Sequence, residues 1–112
     1  MEESILISIK QLLGLTKEYT VFDPAIIIHI NTVFMTLNQL GVGPAEGFRI
    51  EDDMEVWHSY IQEEDNLESV KTYIYLKVKL LFDPPLNSSI ITAMQQQISE
   101  LEWRLNVEAE SK

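Results

Sequence analysis

The sequence predicts an all-α fold, a small antiparallel helical bundle of four main helices plus one short helix. Three observations carry that prediction. Apolar residues recur at spacings of three and four along most of the chain. The stretch Phe82-Asp83-Pro84-Pro85 stops one long amphipathic segment just before another begins, because each proline ring removes an N–H donor and constrains the residue before it. The one segment that alternates like a strand has no second convincing strand to pair with, and a lone strand cannot satisfy its backbone.

The first helix is expected over Ser4 to Leu13, with Ile5, Ile9, Leu12 and Leu13 at helical spacing and Gly14 placed to end it in a left-handed conformation. Thr16 to Phe22 reads as a connector. Asp23-Pro24 then opens the second helix, Asp as N-cap and Pro at the first helical position. Ile26, Ile30, Val33, Leu37 and Leu40 share one face of this helix, Ile27 and Phe34 widen it, and Gly41 closes the element.

Gly41 to Asp53 holds three of the four glycines and Pro44, so it reads as a loop, with Phe48-Arg49-Ile50 briefly extended. Met54 to Ile61 reads as a short helix presenting Val56, Trp57, Tyr60 and Ile61, capped by Asp52 or Asp53. The run from Asn66 to Leu81 contains Tyr73 to Leu80, which alternates as a strand would. Its length of about 16 residues exceeds a typical strand. Asp65 and Glu68 form a pair like a capping box, and Leu67, Val70, Ile74, Val78 and Leu81 form a helical face. A helix apolar on more than one face belongs at the centre of the bundle. After the prolines, Asn87 or Ser88 caps a last helix whose Ile91, Met94, Ile98, Leu101 and Leu105 make a heptad-like seam against its predecessor. Residues 1–107 are expected to form a single domain. Asn106 to Lys112 is polar and expected to fray, with 108–112 as a flexible tail.

The totals narrow the function. The chain has 112 residues, 46% apolar and 23% charged, which suits one globular domain with a real core and argues against disorder. It has no cysteine, so disulfides and thiolate metal sites are out. Met1-Glu2-Glu3 is acidic where a signal peptide would be basic, and no apolar run approaches the roughly 20 residues of a membrane helix. The default expectation is therefore a soluble protein inside a cell. Eighteen Asp and Glu against eight Lys and Arg give a formal net charge of −10. Such a field repels phosphates, which argues against sequence-specific DNA binding and fits either simple solubility or a surface past which DNA slides.

No constellation for catalysis emerges. His29 and His58 are far apart, and neither has a second His or a carboxylate three or four residues after it that would form a familiar metal pair. Phosphate-binding, dinucleotide and nucleophile-elbow motifs are missing, and Gly41-Val42-Gly43 follows a helix and reads as a turn. Glu51-Asp52-Asp53 and Glu63-Glu64-Asp65 lack the alternating ligands and central glycine of a calcium loop, which leaves them as solvated capping charge. No catalytic, cofactor or metal residue is assigned. Trp103 lies on the far side of its helix from Leu101 and Leu105. It either packs under a neighbouring element, the reading a small domain favours, or anchors a partner subunit.

The ordered run of features resembles the phage head–tail connector family, the head-completion or adaptor proteins of long-tailed phages and prophages. The matching pieces begin with Lys10-Gln11-Leu12-Leu13-Gly14, the run Asp23 to Asn31, and Leu37 to Gly43. They continue with Trp57 in a short helix, Tyr73 to Pro85, and Glu100 to Asn106, so that the resemblance covers roughly residues 4 to 107. The aromatic-Asp-Pro-Pro hinge followed by Trp103-Arg104-Leu105 is its most specific part. The resemblance implies an all-α subunit that forms a homo-oligomeric ring under the portal protein, extends the DNA channel, and docks the stopper or head-closure protein and then the tail. It also implies no catalysis, no cofactor, no membrane and a place in the virion neck after assembly in the host cytoplasm. A monomer in free solution is compatible with it.

Head-to-tail ring contacts need two complementary faces on one subunit. Trp103 and Arg104 are candidates on the last helix. Phe48 and Arg49 in the loop, and Asn106 before the tail, are candidates for contacts with portal or stopper. The rival class is a small acidic binding module, a DNA mimic or an inhibitor of a host DNA-binding protein. A regulatory enzyme is a third option and would need a pocket with convergent polar groups.

Overall fold

A computed structural model describes residues 3–62 and 66–110. It contains five helices and, among the described residues, no strand: α1 (Ile5–Leu12), α2 (Asp23–Gln39), α3 (Trp57–Tyr60), α4 (Leu67–Phe82) and α5 (Ser88–Glu110). The fold is the expected all-α bundle.

The alternating segment is helical, and its surroundings explain its pattern. α4 packs against α1, α2 and α5, so apolar side chains are wanted around most of its circumference. Val70, Tyr73, Ile74, Leu76 and Val78 are buried. Leu81, expected on the same face, is half exposed in the last turn. α2 brings Ile26, Ile30, Val33, Phe34 and Leu37 to this core, and α5 brings Met94, Ile98 and Leu105.

The N-terminal helix is capped as Ser-initiated helices are, the Ser4 side chain accepting from the Ile7 amide at 3.2 Å. Gly14 follows its C-cap with φ +87°. The start of α2 departs from expectation. Asp23 is the first helical residue, and the N-cap is Phe22, with no side-chain bond. The carboxylate is engaged elsewhere, by the ammonium of Lys10 at 2.9 Å. Lys10 is only 1% exposed, and it also donates to the Lys17 carbonyl at 3.1 Å. One buried cation thus ties α1, the connector and α2 together.

The short helix is also shorter than expected. Met54 to Val56 is not helical, because backbone groups there already have partners: the Ile5 amide donates to the Glu55 carbonyl, and Val56 forms an isolated bridge with Ser4. Asp52 caps a turn instead of a helix, accepting from the Met54 amide at 2.8 Å. Trp57 is buried, and its indole N–H donates to the Ser8 hydroxyl at 2.9 Å. The capping pair expected from Asp65 and Glu68 involves a residue outside the described ones.

At the hinge, α4 ends with Phe82 and the Asp83 amide donates to the Lys79 carbonyl. Asn87 then starts α5, its side-chain oxygen accepting from the amides of Ser89 and Ile90. The fraying expected from Asn106 is corrected: α5 continues to Glu110. Its last turns are held, because Leu105 is buried and the side-chain Nδ2 of Asn106 donates to the Leu40 carbonyl at the end of α2. The Ala109 methyl lies only 3.0 Å from where a Cβ on Gly41 would stand.

Candidate interaction surfaces

The described residues contain no cluster of three His, Asp or Glu side chains that could hold a metal ion. His29 is half-buried on α2 and His58 is exposed beside Trp57. No helix is long and apolar enough to cross a membrane among the described residues. A cavity of about 530 Å³ opens between the Gly41–Pro44 turn, Tyr60 and α5. Among the described residues, its side-chain polar groups come from Ser59, Tyr60, Gln62 and Asn66.

Two tyrosines are perturbed by the fold. Burial pushes the Tyr60 phenol well above its ordinary value, and its hydroxyl has no hydrogen-bond partner. Burial also raises Tyr73, helped by the 2.6 Å bond its hydroxyl donates to the Glu102 carboxylate and by that charge. Tyr73 thereby links α4 to α5, and Lys77 lies 4.0 Å from the same carboxylate.

These two hydroxyls should respond oppositely to removal. Tyr60→Phe is expected to leave stability unchanged or raise it by about 1 kcal/mol, since an unsatisfied buried hydroxyl is removed. Tyr73→Phe is expected to lower it by about 1–2 kcal/mol through the lost bond to a carboxylate. Because folding raises both phenols, the unfolded chain loses its protons first once pH climbs past about 10. Their contribution is full below that pH and is lost above it, as pH rises toward the folded values. Urea titrations between pH 7 and 11 should show this fall, and Tyr60→Phe should flatten it; an unchanged pH slope would contradict the assignment.

What remains for function is on the outside, in three places. At the hinge end, Tyr19, Phe22 and Phe82 form a chain of edge-on ring contacts, with centroids 5.8 and 5.2 Å apart. Val21, Leu81, Leu86 and Ile90 are exposed nearby in sequence. On the outer side of α2, Ile28 and Met35 are 64% and 67% exposed and border a groove of about 660 Å³. Its other wall is the Glu46–Arg49 segment. On α5, Trp103 is 67% exposed, which corrects the reading that favoured packing under a neighbour. The reason lies in the helical period: Trp103 stands about 140–180° from Met94, Ile98 and Leu105, which already face the core.

The other expected contact residues divide. Arg104 is exposed and paired with Glu100 at 2.7 Å. Phe48 is half-buried against Phe34 and Tyr60 and forms part of the groove wall, with Arg49 at the rim. Asn106 is turned inward to Leu40 and so holds α5 in place. Charge is distributed unevenly over this surface. Lys71, Lys77, Lys79 and Arg104 each have a carboxylate within 4.0 Å. Among the described residues, only Lys17 and Arg49 are cations without one. Sequence reasoning passed over Ile28 and Met35, although their seven-residue spacing, off the face of Ile26, Ile30, Val33 and Leu37, marks a second apolar stripe.

Fold and surface together describe an all-helical module whose uncommitted apolar groups point outward. The chain belongs to the phage connector protein family, whose family model matches residues 5–112. Comparison with curated proteins and with solved structures found no match.

Proposed function

We propose that this chain is the head–tail adaptor of a tailed phage or prophage. Copies form a ring beneath the portal, extend the DNA channel, and present a docking surface for the stopper protein and then the tail. The observation that carries this reading is the family match over nearly the whole chain, residues 5–112. Exposed apolar side chains on α2, α5 and the hinge end support it, since large exposed apolar patches mark interaction sites. The net charge of −10 suits a channel wall, because repulsion from phosphates keeps passing DNA from sticking.

In this reading the work is done by assembly, with no reaction and no cofactor. Trp103, Arg104, Phe48 and Arg49 make contacts with other subunits or with the portal and stopper, and Asn106 keeps the end of α5 seated. The protein acts in the virion neck after assembling in the host cytoplasm. Deleting the gene should yield DNA-filled heads without tails, and the purified chain should bind purified portal rings. Normally tailed virions from a clean deletion would sink the proposal.

A further inference from the structure

Two surfaces of this chain are matched in chemistry and cannot meet within one molecule. The first is the α2 groove. Ile28 and Met35 lie two turns apart along its edge, with Phe48 opposite. The loop wall is fixed in place, because Asn31 exchanges two hydrogen bonds with Ile50, at 2.9 and 2.7 Å. Phe48 is also held by ring contacts to Phe34 and Tyr60, each with centroids 5.2 Å apart. The groove is thus preformed, and its rim carries one exposed acid, Glu46, and one exposed cation, Arg49. Arg49 has no carboxylate partner among the described residues.

The second surface is the outer ridge of α5. Trp103 stands at its centre, with Glu100 one turn before it and Arg104 next to it, both exposed. Each surface therefore has an apolar centre flanked by one acid and one cation. A protruding tryptophan and a preformed apolar groove with a polar rim are the usual two halves of an anchored contact. α2 and α5 each pack on α4, so both outward faces are left free on one body.

We propose that Trp103 of one copy seats in the Ile28–Met35–Phe48 groove of the next, with Arg49 facing Glu100 and Glu46 facing Arg104 across the seam. The occupant of the groove is a second copy of this chain. Two different faces in contact make a head-to-tail interface, which repeats around a ring. This inference rests on the adaptor reading and adds the contact that builds its ring. Each copy carries −10, so mutual repulsion opposes the contact in free solution, and holding copies side by side on a portal overcomes it.

The chain has no cysteine, so introduced thiols are unique. Thr32→Cys places one in the groove and Ser99→Cys places one a turn from Trp103, both at exposed positions that spare the anchor residues. The full chains are assembled on portal rings of the encoding phage and treated with a short bis-maleimide. Mixed Thr32→Cys and Ser99→Cys chains should give dimers, the doubly substituted chain a ladder of multimers, and either single variant alone no dimer. Arg49→Glu should reduce ring occupancy about tenfold or more, and adding Glu100→Arg should restore most of it. Rings visible by electron microscopy without the mixed cross-link would overturn this contact and leave the adaptor reading standing. Chains that never bind portal would overturn both.

Discussion

Replacing Asp23 with Ala is expected to lower stability by about 3–5 kcal/mol. The reason is what it leaves behind. The Lys10 ammonium is 1% exposed, and without Asp23 its remaining partner among the described residues is the Lys17 carbonyl at 3.1 Å. An unpaired buried charge loses water without gaining a counter-ion. The partner substitution should be milder. Lys10→Met keeps most of the buried stem and leaves Asp23, whose side chain is 21% exposed and stands at the N-terminus of α2, where the helix dipole favours a carboxylate. Its expected cost is about 1–3 kcal/mol. Urea denaturation of both variants tests the asymmetry. Equal losses would mean that stranding the carboxylate costs as much as stranding the ammonium, and would contradict the asymmetry. Against a total of about 5–15 kcal/mol for a domain of this kind, Asp23→Ala takes the protein close to unfolding.

Gly43→Ala is expected to lower stability by about 2–4 kcal/mol, from two separable causes. Gly43 has φ +86°, where a side chain strains the backbone, and a Cβ there would stand 2.5 Å from Cε1 of Tyr60. The ring cannot retreat, because Phe34 and Phe48 pack against it with centroids 4.5 and 5.2 Å away. Gly14→Ala isolates the first cause. Its φ is +87° and nothing lies within 4 Å of the added methyl, so only the backbone strain of about 1–2 kcal/mol should appear. A Gly43 loss no greater than the Gly14 loss would show that the aromatic cluster yields. The same clash pushes on Phe48 and thus on the groove wall, so Gly43→Ala should also weaken portal-bound ring assembly.

The helices were readable from local rules, and so was the hinge between α4 and α5. Apolar spacing marked α1, α2 and α5, and the 16-residue length decided α4 against its strand-like alternation. The candidate surfaces were only partly readable. Trp103 stood out because its position on the helical wheel opposes the seam, and that is a local fact. The groove was not visible, because it needs the Glu46–Arg49 segment laid against α2 by the Asn31–Ile50 bonds, nineteen residues apart in the chain. Lys10 gave no signal either. A lysine in the last turn of a helix ordinarily reads as a solvated charge that suits the helix dipole, and nothing in its neighbours announces that Asp23 will be folded over it.

By itself the sequence determined the helical class, the order and approximate ends of the helices, the turn at Pro84-Pro85 and the acidic character of the surface. These follow from periodicity, backbone chemistry and composition, which act over a few residues or over the whole chain at once. The tertiary structure alone decided which ends are held and which faces are left over. α5 runs on past Asn106 because Leu40 and Gly41 receive it, α3 starts late because Glu3 to Ile5 already occupies the backbone before it, and the α2 groove exists because Asn31 holds the segment after Gly41 against the helix. Each is set by contacts between residues distant in the chain, and such contacts leave no mark in local spacing.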